Sequence, residues 1–232
     1  MAVLERSVRT TQRASAPRAH PKRGTPLRWL NPGIILGAMT PLAWILIRGA
    51  QDGLGANPIA EVMNELGLTA LVLLVASLAC TPARLLLGWT WPTRIRRDLG
   101  LLAFFYVVLH FLTYLVLDQA VDLPAIALDI AKRPFITIGF TAFVLLVPLA
   151  LGSTKASIRR IGFRRWQRLH QLAYVAGVLA VVHFFWRVKI DVSQPLLYGL
   201  VLAALLGVRL AVWRWQRLSK RSASSPSSTA AR

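Results

Sequence analysis

The stretch RWQRLHQLAYVAGVLAVVHFFWRVK, Arg165 to Lys189, decides the fold class. Arginines crowd its first four positions, and from Leu169 to Trp186 no Asp, Glu, Lys or Arg interrupts it. That apolar length is close to the roughly 20 residues a helix needs to cross a hydrocarbon core. Yet the run carries two of the chain's four histidines, His170 near one end and His183 near the other. An imidazole at membrane depth is costly, so each is a functional hypothesis by default.

Five further runs have the same character: Leu30–Ile47, Leu66–Ala83, Leu99–Leu117, Phe135–Leu151 and Pro195–Trp213. Several hold Pro, Gly or Thr inside, which membrane helices tolerate better than soluble ones. The 232 residues are 55% hydrophobic and only 16% charged, with a mean hydropathy of +0.52. The fold class expected is all-α: a polytopic bundle of six transmembrane helices over residues 29–215. Residues 1–28, rich in Arg, Ser, Pro and Ala with Glu5 as their one acid, read as a basic disordered arm. An organelle transit peptide has a similar composition, but a cytoplasmic arm accounts for the same residues. Residues 216–232 read as a low-complexity disordered tail.

A net charge of +19 would point to nucleic acid in a soluble protein, but its distribution does not. Of the 28 Lys and Arg, 23 fall on the arm, the second and fourth interhelical segments and the last helix with its tail. The opposite face keeps Arg48, Lys132, Arg133, Arg187 and Lys189, together with seven of the nine acids. The positive-inside rule then places both termini in the cytoplasm. The basic charge sets topology and contacts lipid headgroups; no nucleic-acid partner is expected.

Cys80 is the only cysteine, so this chain alone supplies no disulfide, no C-x-x-C-H haem attachment and no iron–sulfur ligand set. No Gly-rich dinucleotide fingerprint is present, and no segment between runs is long enough for a nicotinamide or flavin dehydrogenase domain.

His20 lies in the arm and reads as a solvated bystander. For His110, His170 and His183 three readings stand: haem ligand, proton relay, or buried structural group. Counting from the basic face, His110 sits about 17 Å in, His183 about 22 Å and His170 only about 3 Å. His110 and His183 thus share a depth and could clamp one haem iron from two helices. On an ideal helix His170 points about 140° away from His183 and lies about 20 Å from it along the axis. The third run offers no inner histidine to pair with it. Fourteen positions before His110 stands Arg96, with Arg97 beside it. Arginine is a poor iron ligand but suits a haem propionate, a flavin phosphate or a quinone oxygen.

RRDLGLLAFFYVVLHFLTY (Arg96–Tyr114), DIAKRPFITIGF (Asp129–Phe140), RRIGFRRWQRLHQLAYVAGVLAVVHFFW (Arg159–Trp186) and CTPARLL (Cys80–Leu86) resemble the MsrQ (YedZ) family. These are haem-binding membrane subunits of bacterial periplasmic protein-methionine-sulfoxide reductase systems, within the ferric-reductase-like transmembrane superfamily. The resemblance covers about residues 30–215. It implies a b-type haem associated with His110, His170 and His183, and also FMN. It implies electron transfer across the bacterial inner membrane from the quinone pool, or from a flavin reductase, to the periplasmic molybdenum enzyme MsrP. The substrate chemistry would then lie in the partner, where methionine sulfoxide in envelope proteins is reduced. Arg133 and Lys132 become candidates for a haem propionate or the partner. Arg159, Arg160, Arg164 and Arg165 enforce topology or meet a phosphate, and Gly162 permits the turn into the fifth run. Tyr114 and Tyr174 line a haem edge or pack the core, and Trp166 and Trp186 belt the interface. Two rivals remain. A self-sufficient two-haem ferric or quinone reductase needs a fourth membrane histidine. A proton-coupled transporter needs acids at the midplane, and no Asp or Glu lies inside the apolar runs.

Overall fold

Every apolar run folds as a helical span long enough to cross a membrane, the fifth with a break in it, and the turn chemistry between runs explains where several of them begin. The computed structural model describes residues 30–223, which contain no strand. The elements are α1 (Leu30–Ala50), α2 (Pro58–Leu87), α3 (Pro92–Leu112), α4 (Leu123–Lys132), α5 (Pro134–Leu151), α6 (Lys155–Ile161), α7 (Phe163–Leu169), α8 (Leu172–Arg187) and α9 (Ser193–Ala223). Proline in the first turn opens α2, α3, α4 and α5, where its fixed φ suits the helix and its missing N–H costs nothing. Asn57 and Asp122 cap α2 and α4 by accepting from Ala60 N at 3.1 Å and Ala125 N at 3.0 Å. Gly88 ends α2 at φ +70°, and Gly162 turns α6 into α7 at φ +83°, both conformations that a side chain resists.

Six crossings run up and down: Pro32–Ala50, Pro58–Leu87, Pro92–Asp118, Pro134–Leu151, Phe163–Arg187 and Ser193–Ser219. One end of the bundle gathers the basic segments and the other the acids, so they are called here the basic and acidic ends. The most extensive pairings are α2 with α3 and α5 with α8. Leu74, Ala103, Leu146, Leu149 and Ala176 form the core where these pairs meet, with Ala103 1% and Ala176 0% exposed. Small residues there let backbones approach closely, which drives helix association in lipid. Tyr106, fully buried, ties α3 to α1 by donating its hydroxyl to Ala38 O. Large apolar side chains such as Leu36, Leu151 and Leu200 face outward, as a lipid-exposed surface requires. This is an all-α, multi-pass membrane protein.

Five details differ from the sequence expectation. The fifth run is not one helix: the chain breaks at His170 and Gln171 between α7 and α8. The third widens into a π-helical turn, Thr113–Asp118, before Ala120 and Val121 adopt φ of +48° and +63°. Helix α2 starts well before Leu66, so Glu61 and Glu65 join it, and both pair with Arg48 of α1. The segment between the third and fourth runs is not merely a loop, because α4 forms there with Ile126 buried and Leu123 and Leu128 outward. Helix α9 continues to Ala223, past the 215 boundary. The arm (1–28) and the end of the tail lie outside the described residues.

Candidate functional site

His110 ends the regular part of α3, and His183 lies in the last turns of α8. The two rings face each other with centroids 6.3 Å apart and planes at 83°. An imidazole–metal bond is about 2 Å. Adding roughly 1.1 Å from nitrogen to ring centre on each side, two imidazoles on opposite faces of one iron have centroids about 6 Å apart. The observed separation is wide enough for one metal ion between the two rings.

The hydrogen bonds fix the tautomer. His110 Nδ1 donates to Met63 O of α2 at 2.9 Å, and His183 Nδ1 donates to Phe135 O of α5 at 2.7 Å. A carbonyl oxygen only accepts, so both protons sit on Nδ1 and both Nε2 lone pairs are free for a metal. Backbone bonds of this kind orient ligating histidines and raise their basicity.

Two glycines make the room. A Cβ on Gly67 of α2 would stand 3.1 Å from His110 Nδ1 and Cε1, and one on Gly139 of α5 would stand 2.7 Å from His183 Nδ1. The imidazoles occupy the space that other residues would fill. They open on a cavity of about 610 Å³ between the α2–α3 and α5–α8 pairs, walled by Phe111, Phe140, Phe143 and Leu71. The Phe111 and Phe143 rings stack at 4.9 Å. A flat, apolar, iron-bearing ring with polar edge groups fits this shape and donor set.

At the acidic end the cavity acquires charge. Arg133 lines it, paired through Nε with Asp129 at 2.7 Å, and Asp129 accepts from the Tyr114 hydroxyl at 3.0 Å. Arg187, one turn beyond His183, lines it too and bonds the Asn64 side chain. Asp191 also lies there, and hydrogen bonds from the Ser193 side chain and backbone hold its carboxyl below the ordinary range. Lys132 is exposed and does not line the cavity.

His170 stands apart, at the basic end. Its Nδ1 donates to Trp166 O at 3.1 Å, and its ring lies 4.1 Å from that of Trp166. Trp166 itself donates to Gly152 O at 2.9 Å, so it joins α7 to α5 rather than only belting the interface. Arg96, half-buried, bonds Thr81 Oγ1 at 3.2 Å at the same basic end. Arg97 is exposed. Of the predicted residues, the structure thus joins His110, His183 and Arg133 around one cavity, and groups His170 with Arg96 elsewhere. Tyr114 lines the cavity; Tyr174 does not.

Sequence reasoning missed Gly67, Gly139, Arg187 and the backbone partners of the two imidazoles. Arg187 carried a signal, four residues after His183 on one helical face. The glycines carried none beyond being small residues in apolar runs.

A family model described as ferric reductase like transmembrane component matches residues 66–181. The chain is 52% identical over 189 residues to a protein of Deinococcus radiodurans, covering 82% of this chain and 93% of that one. It is 48% identical over 194 residues to one from Ralstonia nicotianae, with 82% and 89% covered. A Rhodospirillum rubrum protein is 49% identical over 191 residues, with 82% and 92% covered. All three bear the name protein-methionine-sulfoxide reductase heme-binding subunit MsrQ.

Proposed function

The chain belongs to the MsrQ family, with a ferric-reductase-like transmembrane core, and from that premise we propose that it is the membrane electron-transfer subunit of a methionine-sulfoxide reductase system. In this reading it lies in a bacterial inner membrane with both termini cytoplasmic. It takes electrons from the quinone pool, or from a flavin reductase, and delivers them to the periplasmic molybdenum enzyme MsrP. The substrate chemistry belongs to that partner.

The observation that carries the reading is the facing pair His110 and His183, 6.3 Å apart with both Nδ1 protons committed to backbone carbonyls. The pair would hold a b-type haem, which when bound supplies reversible one-electron transfer at iron. Met63 O and Phe135 O engage the Nδ1 protons, which leaves both Nε2 lone pairs uncommitted. The phenylalanine walls exclude water, and Arg133 and Arg187 at the acidic mouth would face the propionates. Arg96 and His170 form the inner end of the route, where a fixed cation suits an anionic or reducible group. The exposed arginines of the α6–α7 turn, Arg159, Arg160, Arg164 and Arg165, would meet the phosphate of FMN.

The test is the haem-to-protein ratio and spin state of purified variants. His110→Ala and His183→Ala should each lose most haem or turn it high-spin, while His170→Ala keeps the low-spin signal. If His170→Ala abolishes that signal and His183→Ala retains it, the pairing is wrong.

A further inference from the structure

The corner between α4 and α5 encloses a carboxylate, Asp129. Arg133 stands before Pro134, which disfavours the helical region for it, and it adopts φ −107° and ψ +100°. The chain therefore bends there, and Asp129 closes the bend twice. Its backbone oxygen accepts from Arg133 N at 3.0 Å, and its carboxylate accepts from Arg133 Nε at 2.7 Å. The Asp129 side chain is 13% exposed and that of Arg133 59%, so the acid is enclosed while the base reaches the open mouth of the cavity.

Asp129 also reaches the other half of the bundle. Its second oxygen accepts from the Tyr114 hydroxyl at 3.0 Å. Tyr114 follows His110 by four residues, inside the π-helical turn Thr113–Asp118, and both side chains line the cavity. Arg133 precedes Phe135 by two residues, and Phe135 O accepts from His183 Nδ1. One carboxylate thus ties the helix of one imidazole to the corner that orients the other. It takes Arg133 Nε and leaves the two Nη groups of the fork for an anion. The arrangement also has an electrical consequence. Arg133 and Arg187 both line the acidic mouth. A cation beside a redox centre favours its reduced form, and a carboxylate paired with that cation offsets the pull. The Phe111, Phe140 and Phe143 walls keep the surroundings apolar, so such charges act strongly.

We propose that Asp129 is a positioning residue of the His110–His183 site: it fixes Arg133 at the acidic mouth through Nε, offsets its charge, and so holds down the reduction potential of iron bound between the two imidazoles. Tyr114, donating to the same carboxylate, keeps it aimed at Arg133. The proposal rests on the haem reading and deepens it, because a lower potential makes the haem a better electron donor toward the acidic end.

The test uses the full-length, haem-loaded protein in nanodiscs, with the midpoint potential and the low-spin spectrum as readouts. Asp129→Asn removes one negative charge and should shift the reduction equilibrium about tenfold toward the ferrous form, about 59 mV for one electron. Arg133→Gln should shift it the opposite way. The double variant, Asp129→Asn with Arg133→Gln, should return to within about twofold of wild type, because the offsetting charges leave together. A merely structural acid would give no such restoration. Asp52→Asn, at an exposed acid of the same end that does not line the cavity, should leave the potential unchanged. An unshifted Asp129→Asn overturns the proposal, and so does a double variant that stays shifted. Should Asp129→Asn lose the low-spin signal, Arg133→Gln decides alone: a downward shift upholds the offset and an unchanged potential overturns it. A wild type without low-spin haem overturns the haem reading and this proposal together, whereas low-spin haem with unshifted variants overturns only the proposal.

Discussion

Replacing Gly139 with Ala should cost the protein most of its haem affinity while leaving the helix sound. The added Cβ would stand 2.7 Å from His183 Nδ1 and 2.8 Å from Cε1, against 3.4 Å or more for ordinary contact. The ring must retreat by about 0.7 Å to relieve the overlap. A retreat of that size disrupts the 2.7 Å bond from Nδ1 to Phe135 O and moves the ring from its place against His110. Loss of a ligand-orienting partner typically lowers metal affinity by about 10- to 100-fold, or about 1.4–2.8 kcal/mol. Gly67→Ala is the graded comparison, because its Cβ would meet His110 at 3.1 Å and ask for a shift of only about 0.3 Å. Gly37→Ala is the control, with nothing within 4 Å of its Cβ. Alanine favours a helix over glycine by up to about 1 kcal/mol, so haem loss in Gly139→Ala will not come from a weakened α5. The assay is haemin titration of the purified apoproteins, followed at the Soret band, with the low-spin signature recorded at saturation. The expected order of affinity is Gly37→Ala equal to wild type, Gly67→Ala about threefold weaker, and Gly139→Ala weaker by tenfold or more. A Gly139→Ala protein that binds within twofold of wild type, still low-spin, would refute the idea that His183 is wedged by backbone contact.

Other perturbations probe other links. A reporter fused after Arg232 should read cytoplasmic and one inserted near Asp122 periplasmic; a periplasmic C-terminus would reverse the direction of electron flow. Arg96→Ala should leave the outer haem bound but slow its reduction by quinol or reduced flavin, whereas exposed Arg97→Ala should not; equal rates in all three proteins remove Arg96 from the route. Tyr106→Phe should lower stability by about 1 kcal/mol, read by thermal or denaturant unfolding, since its hydroxyl holds α1 to α3; unchanged stability would make that bond dispensable.

How much of this was legible follows from which forces act along the chain and which act across it. Six apolar runs and their basic flanks are local features, so the number of crossings and the alternation of ends could be read directly. The closeness of the His110 and His183 rings was also legible, because depth in a bilayer is a count of residues from a helix end. The break at His170 and the π-turn after Leu112 were not. Each trades local helical geometry for a contact elsewhere: Trp166 reaches Gly152 of α5, and Tyr114 reaches Asp129 of α4. The reasons Gly67 and Gly139 must be small lie on helices distant in sequence, and nothing in their neighbours announces an imidazole. Arg96 and Arg97 were indistinguishable as text, and only the packing of α3 against Thr81 turns one inward.

The helix pairing has a consequence for biogenesis. The pair α2–α3 holds His110 through Met63 O, and the pair α5–α8 holds His183 through Phe135 O, so each half of the cofactor clamp is complete within its own pair. During synthesis the first half can assemble in the membrane long before His183 leaves the ribosome. The halves meet across a cavity, so iron bonded to both would act as a rivet between two prebuilt modules. Ligand binding stabilises by mass action, and here the gain falls on the seam between halves. Haem supply would then set how firmly the two halves are joined beyond the packing of Leu74, Ala103, Leu146, Leu149 and Ala176 between them.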